Sequence, residues 1–268
     1  MIIMAKLSGP IGVMDSGIGG LTVVRELQKI LPGEDIIYFG DSANCPYGNK
    51  SKEQIVELSK KMLQFLGDNG AKVTAIACNT ISTLVETLAP CFDYKIIGIV
   101  SPAADYVVRS GIKSVGLIAT EFTVSTKNYD TLIQRQDPTI EVVGKGSPLL
   151  AALVDRGDFN RDDINTEIRT QVDNILSRKK VEHLILGCTH YPIVAENFAE
   201  CYPEMTLINP ALEQANAVKA YLEEMDHSFS TKERGTFTLC TSGDPQVYIN
   251  VAKRLGIIEP SECKIINL

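Results

Sequence analysis

Short apolar runs alternate with longer amphipathic stretches along this chain. Each short run predicts a β-strand. The runs at residues 73–77 and 184–186 are too brief and too uniformly apolar for amphipathic helices, which favours strands buried on both faces. Eight such runs lie before residue 210 and a ninth follows, at residues 11–14, 36–39, 73–77, 96–100, 115–119, 140–143, 184–186, 206–208 and 236–241. Strands that alternate with helices predict an α/β fold with parallel sheets.

Three of the amphipathic stretches carry clear helix signals. Residues 51–66 begin with Ser51 and Gln54, which form a capping box, and continue with one apolar stripe. Residues 161–178 repeat that apolar spacing. Asp244 before Pro245 predicts the start of a helix that runs to residue 254 and is stopped by Gly256. Residues 211–268 therefore predict a helix, one strand and a final helix, which we expect to pack on the first half of the chain.

The first eight strand runs also form pairs at nearly constant separation, which indicates an internal duplication. The runs that begin at residues 11 and 36 are each followed by a similar run 104 residues later, at residues 115 and 140. The separation is 110 residues between positions 78 and 188 and between the runs that begin at residues 96 and 206. Chance spacing within an α/β protein is the alternative, but a cysteine ends the matched runs at Cys78 and Cys188. We therefore expect two similar parallel-sheet α/β domains related by pseudo-duplication, with the active site in the cleft between them.

These pairs also set the expected domain boundaries. Residues 1–99 and 210–268 form the predicted first domain, which carries Asp15 and Cys78. Residues 100–209 form the predicted second domain, which carries Cys188 and His190. A homodimer is compatible with the sequence.

Composition and charge exclude several classes of partner. The 268 residues are 44% hydrophobic and carry a net charge of −7 with no cluster of Lys or Arg, which argues against nucleic acid or an anionic membrane as a partner. No secretory signal pattern and no run of about 18 apolar residues occurs, so we expect a cytoplasmic protein.

The seven cysteines are an odd number without a C-x-x-C pair, which favours free thiols over a disulfide framework or a metal site. Cysteines 91, 201, 240 and 263 are interpreted as small core residues, and Cys45 receives no role.

Chemistry is expected in the loops that follow the strands, because ligands bind at the carboxyl edge of open parallel sheets and helix N-termini point there. Four loops qualify. They contain Asp15 and Ser16 with three nearby glycines, Tyr47 and Gly48 within GDSANCPYG, Cys78 with Asn79 and Thr80, and Cys188 with Thr189 and His190. Their hydroxyl, amide and imidazole groups are good donors for a carboxylate, and His190 could act as an acid or base near neutral pH.

Three hypotheses could use the two cysteines. One cysteine could be a nucleophile with histidine as its base, which leaves the second thiol idle. The thiols could be a redox pair, although opposed cleft walls hold them too far apart unless the cleft closes. The third hypothesis makes both thiols acid and base on opposite faces of one bound molecule, and only this one accounts for two thiols.

The segments DSGIGGLTV, GDSANCPYG, ACNT and GCTHYP, spread in this order from Asp15 to Pro192, resemble the glutamate racemase family within the cofactor-independent aspartate/glutamate racemases. The resemblance implies two α/β domains, no pyridoxal phosphate or metal, and interconversion of L- and D-glutamate for peptidoglycan synthesis. It makes Cys78 and Cys188 the two bases, assisted by Asp15 and His190. It places the substrate contacts at Asp15, Ser16, Tyr47, Gly48, Asn79, Thr80, Thr189 and His190.

One segment departs from the family pattern. The family's P-L-F-x-P-L-V-E corresponds here to PLLAALVD, so Asp155 replaces a glutamate with a shorter arm, and we leave it out of the predicted site. A racemase of the same family that acts on aspartate, a cysteine hydrolase and a glutamate-binding module are the alternative functions.

Overall fold

The computed structural model describes residues 8–157 and 162–267. The described strands are β1 Ile11–Asp15, β2 Ile36–Gly40, β3 Val73–Ile76, β4 Lys95–Gly98, β5 Ser114–Ala119, β6 Glu141–Gly146, β7 His183–Gly187, β8 Thr206–Ile208, β9 Phe237–Thr241 and β10 Glu262–Ile265.

Helices connect the strands. They are α1 Leu21–Ile30, α2 Lys52–Asp68, α3 Asn79–Ser82, α4 Val85–Leu88, α5 Val100–Arg109, α6 Glu121–Ser125, α7 Asn128–Gln136, α8 Leu150–Asp155, α9 Asp162–Arg178, α10 Ala195–Cys201, α11 Pro210–Glu224 and α12 Pro245–Leu255, with short 3-10 turns at Ser42–Asn44, Tyr47–Asn49, Ala89–Cys91 and Tyr191–Val194.

The strands form two separate parallel sheets. The first sheet has the order β10-β9-β2-β1-β3-β4 and the second has the order β6-β5-β7-β8. The four-strand order β2-β1-β3-β4 recurs in the second sheet, strand for strand, in agreement with the predicted duplication. The two-sheet α/β fold is thus confirmed, whereas the domain boundaries at residues 99 and 210 stay a prediction.

The local signals explain most of the elements. The capping box of α2 is present, with Ser51 Oγ accepting from the Gln54 N–H and the Gln54 side chain accepting from the Ser51 N–H. Helix α12 begins after Asp244, whose carboxylate accepts from Gln246, and ends at Gly256 with a φ of 68°. Residue 161, the predicted first residue of α9, lies outside the described residues.

Two sequence expectations near strand ends were wrong. The fourth strand stops at Gly98, because Val100 already begins α5, where Pro102 in the first turn is compatible with a helix. The chain after α12 forms a further strand, β10, instead of ending in a helix. This strand pairs only with β9 at the sheet edge and is mostly exposed, so it lacks the uniformly apolar run that marks the buried strands.

The core holds the carboxyl ends of the strands in place. Strands β1, β2, β3 and the inner residues of β5 and β7 are buried throughout. Helix α11 packs against both sheets, and its buried Gln214 donates to the carbonyls of Ile76 and Ile97. No helix within the two described ranges is long and apolar enough to span a bilayer.

Candidate active site

The loops at the carboxyl ends of both sheets enclose one cavity of about 360 Å³. Every residue of the predicted site except Asp15 lines it. The lining side is made of Ser16, Gly17, Ile18, Ser42, Cys45, Pro46, Tyr47, Gly48, Cys78, Asn79, Thr80, Thr120, Ala151, Ala152, Asp155, Cys188, Thr189, His190, Asp244 and Val247. The structure thus brings the four predicted loops, from the carboxyl edges of two sheets, together around one cavity.

Cys78 follows β3 and is 6% exposed. Its Sγ lies 3.4 Å from Ser16 Oγ, which comes from the loop after β1. Burial raises the pKa of Cys78 to about 12, and the nearby Asp15 carboxylate contributes in the same direction. This thiol therefore carries its proton at neutral pH.

Asp15 has no exposed surface and does not line the cavity. Its carboxylate accepts from the Gly17 N–H at 2.9 Å and from Thr189 Oγ1 at 3.1 Å. Burial raises the pKa of Asp15 to about 6, although the charge of His190 and these hydrogen bonds oppose the shift. Asp15 thus joins the loop after β1 to the loop of Cys188.

Cys188 follows β7 and is 7% exposed, with its Sγ 3.7 Å from His190 Nδ1. The other ring nitrogen, Nε2, lies 2.9 Å from Asp155 Oδ1. Burial alone would lower the pKa of His190, but the Asp155 carboxylate raises it well above its ordinary value. As an imidazolium, His190 donates to Asp155 on one side and to the sulfur of Cys188 on the other.

The pairing with His190 places Asp155 in the site, although the sequence analysis left this residue out of it. It stands at the end of α8 and lines the cavity, so the shorter arm of aspartate still reaches His190. The P-L-F-x-P-L-V-E resemblance was the signal that pointed to it.

The remaining donors are neutral. Asn79 Oδ1 accepts from the Tyr129 hydroxyl at 2.7 Å, while Asn79 Nδ2 is buried without a partner among the residues the structure describes. Thr80 Oγ1 lies 3.2 Å from Thr120 Oγ1. The described cavity lining contains no Lys or Arg, so hydroxyl, amide and backbone N–H groups, together with His190, are the donors available to an acidic ligand.

The hydroxyl of Tyr47 is hydrogen-bonded within its own loop. Its hydroxyl donates to Asp41 Oδ2 at 2.6 Å, and Asp41 also accepts from Asn44 and Ser242. The buried Asp41 therefore fixes the 40–48 loop, and Tyr47 presents its ring and backbone to the cavity. Asp41, like Thr120 and Tyr129, was missed by the sequence analysis, although Thr120 directly follows a predicted strand.

Close approach between loops explains one glycine of the first motif. A Cβ on Gly19 would lie 2.2 Å from Thr189 Oγ1 and 2.8 Å from His190 Nδ1. Any side chain there would separate the two loops that carry Asp15 and Cys188. Residue 19 is thus restricted by contact between the halves of the site.

All seven cysteines are free thiols. Cys201 and Cys240 are buried as expected, but Cys91 and Cys263 are exposed, so their interpretation as core residues was wrong. Cys45 lines the cavity, and burial raises its pKa to about 11, so it carries its proton at neutral pH. Over residues 8–157 and 162–267 no group of three or more His, Cys, Asp or Glu side chains has the arrangement of a metal site.

Known proteins share both the sequence pattern and the fold. The profile of the Asp/Glu/Hydantoin racemase family matches residues 11–218. The glutamate racemase of Thermoanaerobacter pseudethanolicus is 37% identical over 250 residues, which cover 92% of this chain and 93% of that protein.

Solved structures agree with this. The crystal structure of glutamate racemase isoform RacE1 from Bacillus anthracis has a TM-score of 0.90 at 27% identity and covers 98% of both chains. The glutamate racemase of Francisella tularensis, solved in complex with D-glutamate, has a TM-score of 0.86 at 33% identity and covers 96% of this chain and 97% of that one. By sequence and by fold, the chain is an amino-acid racemase that belongs to the Asp/Glu/Hydantoin racemase family.

Proposed function

We propose that this chain is a glutamate racemase that interconverts L- and D-glutamate with two cysteines as acid and base, without an organic cofactor, and supplies D-glutamate for peptidoglycan synthesis. The observation that carries the proposal is the pair of buried thiols, Cys78 and Cys188, which come from equivalent strands of two duplicated sheets and line one cavity. The substrate is taken from the relatives, which are named glutamate racemases.

Inversion at an α-carbon requires removal of a proton from one face and delivery of another proton to the opposite face. Two thiols at the edges of two facing sheets suit this task, with one as thiolate and the other as thiol in each direction. In this proposal Cys188 takes the proton of L-glutamate while Cys78 delivers one, and the roles exchange for D-glutamate. Asp15 and His190 assist the proton transfers.

The surroundings of the two thiols differ. Burial raises the pKa of Cys78 to about 12, so this thiol carries a proton and can act as the acid. The Sγ of Cys188 lies 3.7 Å from His190 Nδ1, which places a charged donor beside the thiol that is proposed to act as the base on L-glutamate.

An α-proton is very weakly acidic, so the negative charge that develops on the substrate needs stabilisation. The free N–H of Asn79 and the hydroxyls of Thr80 and Thr189 are the side-chain donors proposed for the α-carboxylate, where that charge is delocalised. The backbone of Tyr47 and Gly48 is proposed to contact the other end of the substrate. Donors fixed before the substrate arrives lower the barrier without reorganisation.

The second thiol argues against a cysteine hydrolase. An imidazolium beside a thiol also occurs in cysteine hydrolases, so the contact of His190 with Cys188 does not separate the two functions. A hydrolase attacks with one thiol, however, and would leave Cys78, the other buried thiol of the cavity, without a role.

The proposal is tested by incubating the purified protein with L-glutamate in D₂O without added cofactor, and with L-aspartate in parallel. We expect loss of optical rotation and replacement of the α-proton by deuterium for glutamate only. Exchange of aspartate alone would keep the mechanism and change the substrate, and exchange of neither amino acid would contradict the proposal.

The same assay separates two bases from one. Cys78→Ser and Cys188→Ser should each abolish racemisation, because one face of the α-carbon then lacks its acid or base. The circular dichroism spectrum of each variant should stay unchanged. Cys240→Ser, at a buried thiol that does not line the cavity, is the matched control and should racemise normally. Normal racemisation by either cavity variant would exclude the two-base mechanism.

A further inference from the structure

Tyr129 is connected to the site without lining it. It belongs to the first turn of α7, on the side of the second sheet, and is 1% exposed. Its hydroxyl donates to Oδ1 of Asn79, which directly follows Cys78 at the end of a strand of the first sheet. The hydrogen bond is 2.7 Å long and joins residues 50 positions apart.

The bond determines what the amide of Asn79 offers to the cavity. Burial raises the pKa of Tyr129, so the phenol keeps its proton and acts as a donor. The amide oxygen is therefore occupied, and Nδ2 is buried without a partner among the described residues while Asn79 lines the cavity. A buried donor without an acceptor is costly, which is typical of a group that awaits a ligand.

The backbone before α7 also favours this placement. Lys127 has a φ of 55°, a left-handed conformation that residues other than glycine rarely adopt. It joins the end of α6 to the start of α7, since its N–H donates to Val124 and its carbonyl accepts from Thr131. This sharp turn brings Tyr129, two residues later, into the contact with Asn79.

We infer that Tyr129 is a positioning residue that holds the Asn79 amide with its N–H toward the cavity, where it donates to a carboxylate oxygen of the bound amino acid. The inference rests on the proposed racemase function. Without the phenol, the amide can rotate and present its oxygen, which repels a carboxylate. Since charge on the α-carboxylate increases when the proton leaves, loss of this orientation should affect the transition state more than the bound ground state.

A double-mutant cycle tests the inference with Tyr129→Phe, Asn79→Ala, the double variant and the wild type. Tyr129→Phe removes one hydroxyl and no packing, and should lower kcat/KM about tenfold, mainly through kcat, as expected for loss of one hydrogen bond. On the Asn79→Ala background the same change should alter kcat/KM less than twofold, because Tyr129 acts only through Asn79.

Tyr94→Phe is the matched control, since that half-buried hydroxyl donates to the carbonyl of Leu63 at 2.7 Å and Tyr94 does not line the cavity. It should leave kcat/KM within twofold of the wild type. A purely structural role for Tyr129 would lower the melting temperature and give the same kinetic penalty on both backgrounds, which would overturn the inference. Wild-type kinetics of Tyr129→Phe would overturn it as well.

Two further readouts keep the outcome decisive. If Asn79→Ala racemises too slowly for steady-state rates, the cycle is repeated on the rate at which the α-proton is replaced by deuterium at high enzyme concentration, with the same criterion of non-additivity. If the wild type racemises another amino acid and not glutamate, the proposed substrate is wrong, and the cycle is run with that amino acid. The failure of one proposal is thus distinguishable from the failure of the other.

Discussion

At the scale of single residues, the two thiols differ in the charge of their neighbours. Ser16 and the nearby Asp15 surround Cys78, whereas the His190 imidazolium lies beside Cys188. A pseudo-symmetric fold thus contains two thiols with different electrostatic surroundings. The charge of His190 depends in turn on Asp155.

The dependence of His190 on Asp155 predicts a change in pH profile. Asp155→Asn removes the carboxylate that raises the pKa of His190, so the ring should lose its proton at lower pH. We expect the ratio of kcat/KM for L-glutamate between this variant and the wild type to fall as the pH rises from about 6 to 8, since Asp15 titrates in both proteins and only the variant loses the charge of His190. Steady-state racemisation across that range is the measurement.

Asp155→Glu is the control for charge, because it keeps the carboxylate and restores the residue of the family segment. The ratio of its kcat/KM to that of the wild type should stay constant over the same range. If Asp155→Asn and the wild type share one pH profile, the role of Asp155 in holding the imidazolium is wrong.

Asp15 predicts an effect of pH on stability. The pKa of Asp15 is raised from 3.8 to about 6, so between these values the folded state holds a proton that the unfolded state has released. Its contribution to the free energy of unfolding therefore falls as the pH rises through this window, by about 2 kcal/mol between pH 4.5 and 7.5. Asp15→Asn should lack this term, so its stability relative to the wild type rises by that amount.

Urea unfolding of both proteins at a series of pH values measures the difference. Asp15→Asn should also lose racemase activity by a factor on the order of 10², since a general acid/base role contributes that much. A constant stability difference from pH 4.5 to 7.5 would contradict the raised pKa of Asp15.

At the scale of elements, the short helix α8 carries Asp155 to His190 and is held at its start by one serine. Ser147 Oγ accepts from the Leu150 N–H at 2.9 Å and donates to the buried Glu167 of α9 at 2.6 Å. Six residues are too few for a helix to be stable alone, so α8 depends on such tertiary contacts.

Ser147→Ala should therefore lower stability by about 1–3 kcal/mol, because it removes the bond to α8 and leaves Glu167 short of a donor. It should also shift the pH profile in the same direction as Asp155→Asn, since Asp155 is held less firmly. Urea unfolding and the pH dependence of kcat/KM measure the two effects.

Ser51→Ala is the matched control at α2, where the same type of hydrogen bond is lost outside the cavity lining. It should cost about 1 kcal/mol and leave the pH profile unchanged. A shift in the profile of both variants would indicate a general loss of stability instead of an effect through α8.

At the scale of the whole molecule, side-chain contacts join the two sheets around the cavity. Thr189 donates to Asp15, Tyr129 donates to Asn79, and Thr80 lies against Thr120. Each pair combines one residue from each half, so a ligand in the cavity adds contacts to both halves at once.

Ligand binding should consequently stabilise the whole chain. At a concentration 100 times its dissociation constant, D-glutamate should raise the free energy of unfolding by about 2.7 kcal/mol. For a chain of this size the melting temperature should rise by roughly 5 °C. Scanning fluorimetry measures this, with L-lysine, which lacks the side-chain carboxylate, as the control that should give a smaller shift.

The sequence predicted nine of the ten described strands and the helices that carry local signals, because apolar runs and helix caps depend on residues that are neighbours in the chain. It missed β10, whose exposed residues carry no apolar run, and it extended β4 into α5. The site loops were found because they follow strands. Tyr129 gave no signal, because it acts through Asn79, 50 positions away, which sequence position does not identify. Asp41 lies within the GDSANCPYG loop, but its hydrogen bond to Tyr47 appears only in the folded loop.

The sequence by itself determined which segments become buried strands and that thiols, hydroxyls and a histidine follow them, since apolar periodicity and chain order are local properties. Only the tertiary structure decided that these loops close around one cavity and that Asp155 pairs with His190, 35 residues away. It also decided which amide atom of Asn79 is left free. The physical reason is that pKa values and donor orientation depend on burial and on charges close in space, which packing sets and residue order does not.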